Sequence, residues 1–211
     1  MPYRLVCLDM DGVIFKGTNF WMRLHEAFNT LDEGKELTDK YLQSDYDRLV
    51  QEVVGRLWKG KDARPYHDLI GSLEYLRGVR ETFDHLHKRG YMTAIISASS
   101  MDAARRVQRD YGVDHIFANE LAIRDGKITG DFIWPIGAGK EKKAEIIDEL
   151  SHQTGIPLEE IIYVGDSETD VEAFRTVGRA IAFNPTSKGL MQEADITIKS
   201  DSLAEIIPYI P

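Results

Sequence analysis

The stretch that decides the fold is "RLVCLDMDGV", Arg4 to Val13. Four apolar residues, Leu5-Val6-Cys7-Leu8, run directly into two carboxylates, Asp9 and Asp11, and then into Gly12. A short continuous apolar run bounded in this way reads as a strand buried on both faces of a parallel sheet. Residues i and i+2 at a strand end point the same way, so Asp9 and Asp11 face one small space. Two acids held together beyond a buried strand call for a chemical reason.

The composition narrows what that reason can be. The chain has 211 residues, 43% of them hydrophobic, enough for one good-sized domain or one domain carrying an insertion. A formal net charge of -9 and a pI near 5.2 exclude a nucleic-acid groove or an anionic membrane surface as the expected partner. A small anionic substrate fits only if a cation or a local lysine meets it. The single cysteine, Cys7, lies inside the first apolar run and reads as a small buried hydrophobe in a reducing compartment. The chain opens with no signal-like segment, and no apolar run reaches about 18 residues. A cytoplasmic protein is expected.

Apolar runs recur along the chain at Arg4–Leu8, Met92–Ser97, Ile116–Ala118, Ile161–Val164 and Ala180–Phe183. Stretches with helical spacing alternate with them. Val79, Phe83 and Leu86 share a face before the stop at Gly90; Ala104–Tyr111 closes at Gly112; Lys142–Leu150 and Val171–Val177 follow. This alternation predicts an α/β fold with a Rossmann-like parallel sheet. Two segments break it. "LAIRDGKITG" carries Asp125-Gly126 between alternating residues and predicts a β-ribbon outside the parallel sheet. From about Phe15 to Tyr75, some sixty residues separate the first two core strands, too many for a structureless loop. Trp21, Leu24, His25 and Phe28 fall at helical spacing, as do Leu49, Val53, Arg56 and Leu57. The expected organisation is a core of residues 1–14 and 76–211, with a small, mainly helical cap domain at 15–75 inserted after the first strand.

In open α/β sheets, ligands bind outside the carboxyl ends of the strands, near the point where strand order reverses. Asp9 and Asp11 follow the first strand, Ser97 ends the second, and "IIYVGDSETD" supplies Asp166 and Asp170. If these strands are neighbours, four carboxylates and a hydroxyl converge. Such a cluster repels itself unless a divalent cation joins it, and an all-oxygen donor set suits Mg²⁺. One of the paired acids can then attack phosphorus while the other moves protons. Asp170 also fits a helix N-terminal acid, and Lys143, like Lys140 and Lys142, also fits a solvated helix face. "GAGK" at Gly137–Lys140 is not a P-loop, because Trp134 stands at its first glycine and Glu141 at its Ser/Thr. His85 and His87, two apart on a helix, point to different sides and make no metal pair.

On "DMDGV", "AIISASS", "FANELAIRDGKITGD", "KAEIIDEL" and "YVGDSETD", the sequence resembles the haloacid dehalogenase superfamily of phosphohydrolases, in its phosphoserine phosphatase-like branch. The resemblance spans most of the chain. It implies a Mg²⁺-dependent phosphatase acting on a small-molecule phosphate monoester through an aspartyl-phosphate. Asp9 resembles the nucleophile and Asp11 the general acid/base, whose main-chain carbonyl also serves the metal. Ser97, the Ala98 backbone and Lys143 correspond to the phosphate-binding groups. Asp9 and Asp166 resemble carboxylate metal ligands, and Asp170 a supporting acid. The branch also implies a cap glutamate and a cap arginine that grip the amino acid. Thr18 stands at the first of these positions, and the second falls near Val53, with Arg48 or Arg56 as substitutes. Thr18 and Arg56, with Trp21 as a cap aromatic near the mouth, are the expected specificity residues, and the glutamate and arginine that grip phosphoserine are not evident at these positions. A phosphotransferase or mutase on the same scaffold is the alternative. A phospho-accepting signalling domain shares the acidic pocket but lacks a cap and places its aspartate mid-chain.

Overall fold

The computed structural model describes residues 3–17 and 19–211; Thr18 lies outside them. In chain order, β1 (Leu5–Leu8) leads into helices α1 (Phe20–Ala27), α2 (Leu31–Tyr41) and α3 (Tyr46–Val50). The last runs on as a π-helical stretch, Gln51–Trp58, before α4 (Arg64–Ser72). The α/β alternation then resumes with α5 (Val79–Lys88), β2 (Met92–Ser100), α6 (Met101–Tyr111), β3 (His115–Arg124) and β4 (Lys127–Ile133). It ends with α7 (Glu141–Thr154), β5 (Ile161–Gly165), α8 (Val171–Thr176), β6 (Arg179–Phe183), α9 (Lys188–Glu193) and β7 (Ile196–Ile198).

The strands form one seven-stranded sheet in the order β4-β3-β2-β1-β5-β6-β7. All neighbours are parallel except β3 and β4. β1 sits between β2 and β5, which is where the order reverses, so the three strand ends carrying the candidate acids and serine are adjacent. Every residue of β1 is buried because both faces of the strand are covered. Val6 and Leu8 belong to the core on one face, Leu5 and Cys7 to the core on the other. Burial on both sides pins the register, since a one-residue slip would exchange the two sets. Among the described residues no helix is long and apolar enough to cross a membrane.

The structure corrects the reading of the ribbon. Strand β3 pairs in parallel with β2 as far as Asn119, then continues and pairs antiparallel with β4 through Arg124. The ribbon is therefore an extension of the third strand, turning at Asp125 and Gly126, both at positive φ. Strand β7, three residues long, was not anticipated from the sequence.

The helical segment leaves and re-enters the α/β part side by side. Lys16 N donates to Glu74 O at 2.8 Å and Leu76 N to Ile14 O at 2.9 Å. It also rests on the ribbon: Gly60 N donates to Ile128 O, Ile128 N to Lys61 O and Ala63 N to Gly126 O. Inside it, His25 is wedged between Trp58, with ring centroids 4.6 Å apart, and helix α2. A Cβ on Gly34 would lie 2.4 Å from that imidazole. His25 cannot withdraw without losing its 2.8 Å bond to Thr30 Oγ1 and its aromatic contact. Gly34→Ala is expected to lower stability by about 1–3 kcal/mol through overpacking. Chemical denaturation measures this, and an unchanged midpoint would mean that α2 shifts freely.

Candidate active site

Asp9 follows β1 directly, and its N–H still bonds Val164 O of β5 at 2.9 Å, so the sheet holds its backbone. The chain then coils tightly: the N–H groups of Ile14 and Phe15 both reach Met10 O, at 2.8 and 3.0 Å. Gly12, at φ 79°, makes this turn possible, and a Cβ there would fall 2.5 Å from Asp166 Oδ2. The turn brings Asp11 back toward α1, where its Oδ2 accepts the Phe20 N–H at 3.1 Å.

Lys143, projecting from α7, is fully buried. Its Nζ lies 2.9 Å from Asp9 Oδ2 and 2.6 Å from Asp170 Oδ1. These two carboxylates outweigh the cost of burying the ammonium, and its pKa is raised. Asp170 is satisfied on both oxygens. Oδ1 also meets the Tyr163 hydroxyl at 2.9 Å, and Oδ2 accepts the N–H groups of Asp166 and Ser167 at 3.1 and 3.0 Å. That network fixes the loop after β5 to the lysine.

Asp9, Asp166 and Asp170 each offer a carboxylate oxygen within 4.8 Å of the others. Among the described residues, no hydrogen bond reaches the Asp166 carboxylate. Burial, then the neighbouring Asp9 and Asp170, push it up to about 8. The Asp9 carboxyl is likewise raised by burial, with the Lys143 ammonium pulling the other way. Asp11 is pushed up to about 6, chiefly by burial, with the Phe20 N–H opposing. One lysine does not neutralise so many buried acids. The excess of anionic oxygen around the unpartnered Asp166 fits a hard divalent cation.

A cavity of about 390 Å³ opens onto Asp9, Asp11, Ser97, Ala98, Ser99 and Asp166. Strand β2 delivers the serine segment to it. Ser99 N donates to Ser97 Oγ at 3.3 Å, and the Ala98 carbonyl accepts from both Trp21 Nε1 at 2.8 Å and Asn119 Nδ2 at 3.0 Å. The Ala98-Ser99 peptide is thereby oriented from two sides. The Ser99 hydroxyl stands beside Asp11. Below, Ser100 caps α6 and bonds the Tyr66 hydroxyl at 2.7 Å.

The structure thus brings together Asp9, Asp11, Ser97, Ala98, Lys143, Asp166 and Asp170, with Trp21 at the cavity wall. Arg56 stands apart, half exposed and paired with Glu52 at 2.7 Å and Glu33 at 2.6 Å. Thr18 lies outside the described residues. Tyr163 and Asn119 were not singled out from the sequence. A tyrosine inside the apolar run "IIYVG" is the signal that could have found the former.

A family model of haloacid dehalogenase-like hydrolases matches residues 6–175. The chain belongs to that family of hydrolases. Within it the similarity is to phosphoserine phosphatases. The phosphoserine phosphatase of Methanocaldococcus jannaschii is 29% identical over 210 residues, which cover 98% of this chain and 97% of that one. That of Archaeoglobus fulgidus is 29% identical over 202 residues, where the match spans 58% of the longer protein. A solved structure of a phospho-aspartyl intermediate analogue of phosphoserine phosphatase superposes with a TM-score of 0.85. It is 27% identical, and the match covers 100% of both chains.

Asp170→Asn takes one of two carboxylates from a lysine with no exposure to water, and is expected to cost about 3–5 kcal/mol of stability. Tyr163→Phe, which removes a neutral hydroxyl shared between Asp170 Oδ1 and Ile96 O, should cost about 1 kcal/mol. Urea unfolding of both variants checks this, and equal losses would contradict the ranking.

Proposed function

We propose that this protein is a Mg²⁺-dependent phosphatase that hydrolyses a small-molecule phosphate monoester, with Asp9 as nucleophile and Asp11 as general acid/base. The observation that carries the reading is the convergence on one cavity of Asp9, Asp11 and Ser97, with Asp9 paired to Lys143 behind it. In the first step a carboxylate oxygen of Asp9 bonds to phosphorus as the ester P–O bond breaks. The Asp11 carboxyl gives its proton to the departing alkoxide. In the second, Asp11 takes a proton from water, which attacks the aspartyl-phosphate. Inorganic phosphate leaves, and the Asp9 carboxylate returns. Ser97 Oγ, the oriented Ala98-Ser99 peptide and the Lys143 ammonium hold the phosphoryl oxygens. Burial suits Asp11 to its task by keeping a proton available closer to neutral pH than an exposed aspartate does.

Asp9, Asp166 and the Asp11 main-chain carbonyl are the groups that would hold the cation. When bound, it offsets the negative charge of the acids and of the incoming phosphate. Asp170 acts through Lys143 and the loop after β5, as a positioning residue. The helical segment of residues 15–75 serves as the cap: it places Trp21 against the Ala98 carbonyl and excludes bulk water from the cavity. The charge balance and the reducing environment implied by the lone Cys7 suit a cytoplasmic enzyme.

Chelation of divalent cations is expected to abolish phosphate release, and added Mg²⁺ to restore it. Asp9→Asn should lower kcat by about 10⁴-fold or more. Asp11→Asn should lower it by about 10²–10⁴-fold, least for esters with acidic leaving groups. Release of inorganic phosphate with no acceptor alcohol present distinguishes hydrolysis from phosphotransfer. Full activity in chelator, or near-normal rates in Asp9→Asn, would overturn the assignment.

A further inference from the structure

A second cavity, of about 130 Å³, lies within the helical segment and meets the catalytic cavity along Asn19 and Trp21, which line both. Its walls include Trp21, Leu49, Val53, Val54, Trp58 and the ribbon's Phe132. Trp21 stacks on Trp58 with centroids 6.2 Å apart and receives Phe132 edge-on at 5.2 Å. Helix, π-helical stretch and ribbon are thus assembled around one apolar space that opens beside the phosphate site.

Among the described residues, the polar groups in this wall are uncharged. Among them, His25 is buried with Nδ1 held by Thr30 Oγ1 at 2.8 Å, and burial pushes its pKa down to about 4, leaving it neutral at pH 7. The neighbouring arginines are engaged elsewhere: Arg48 with Glu52, and Arg56 with Glu52 and Glu33, all outside the wall. An ammonium or carboxylate entering here would lose its hydration and gain no opposite charge. An apolar group gains from the same transfer. An apolar cavity of about 150 Å³ takes up a benzene ring, close to the volume available here.

We infer that this cavity receives the leaving group, and that the substrate is the phosphate monoester of a small apolar alcohol rather than of an amino acid. The alcohol would be about the size of one aromatic ring or a four- to six-carbon chain. This inference rests on the phosphatase reading above. Trp21 joins the two sites, with its indole N–H on the Ala98 carbonyl and its ring in the apolar wall.

The straight-chain alkyl phosphates from methyl to hexyl release alcohols of nearly equal acidity, so their relative kcat/KM reports burial of the chain rather than bond cleavage. With Mg²⁺ present, kcat/KM is expected to rise about threefold to fourfold per methylene, levelling near the butyl to hexyl esters. Benzyl phosphate should match the best of them, and phosphoserine should fall about tenfold or more below butyl phosphate. Val54→Phe, which fills the cavity, should cut the butyl-to-methyl ratio about tenfold. If that variant does not fold, the chain-length series of the natural protein decides alone. A flat series, or a preference for phosphoserine, overturns the inference and leaves the phosphatase reading standing. Failure to hydrolyse any ester, methyl phosphate included, overturns that reading and this inference with it.

Discussion

The clasp of Lys143 between Asp9 and Asp170 is the interaction on which the rest of the site depends. An ammonium with no exposure to water persists only if carboxylates surround it, and here each partner belongs to a different part of the sheet's carboxyl edge. Asp9 is held by β1, Asp170 by the turn after β5, and the lysine itself by α7. Joining them fixes three elements relative to one another and leaves Asp166, on the same loop, facing the cavity with its carboxylate unpartnered among the described residues. The same pairing costs the fold little, because Tyr163 and two backbone N–H groups complete the lone pairs that Lys143 leaves on Asp170.

From that fixed edge the division of labour follows. The sheet supplies rigid positions for charge, and phosphoryl transfer needs little else from the protein. The helical segment supplies what the sheet edge cannot, an apolar enclosure beside the charged one. Its entry and exit segments run together, it leans on the ribbon, and its Trp21 reaches the backbone of the serine segment. Relatives named phosphoserine phosphatases share the overall architecture at a TM-score of 0.85, yet at 27–29% identity much of the helical segment is free to differ in what it accommodates.

Much of this was legible in the sequence, and for physical reasons. A strand buried on both faces must be apolar throughout, so Asp9 and Asp11 stood out at once as residues placed for chemistry. Asp166 was legible for the same reason, at the end of "IIYVG". Lys143 was harder, because a helix lysine ordinarily faces water and only its burial distinguishes it from Lys140 and Lys142. At α-helical spacing Arg56 shares a face with Leu49 and Val53, but Gln51–Trp58 is wound as a π-helix, and Arg56 is instead paired at the surface. The ribbon's continuity with β3 is a matter of pairing, and pairing is not written in a single strand's alternation. The apolar cavity was hidden more deeply still: Trp21, Leu49 and Phe132 each read as ordinary core, and only the fold shows that they enclose a space.

Asp9, held in line by β1 and paired with Lys143, is proposed to form a covalent bond to phosphorus. Rapid acid quenching during turnover of a ³²P-labelled ester, followed by peptide mapping, tests it directly. A transient, acid-stable and hydroxylamine-labile label is expected on the peptide that contains Asp9, absent from Asp9→Asn. Turnover with no label on that peptide at any quench time, or a label on another residue, would contradict it.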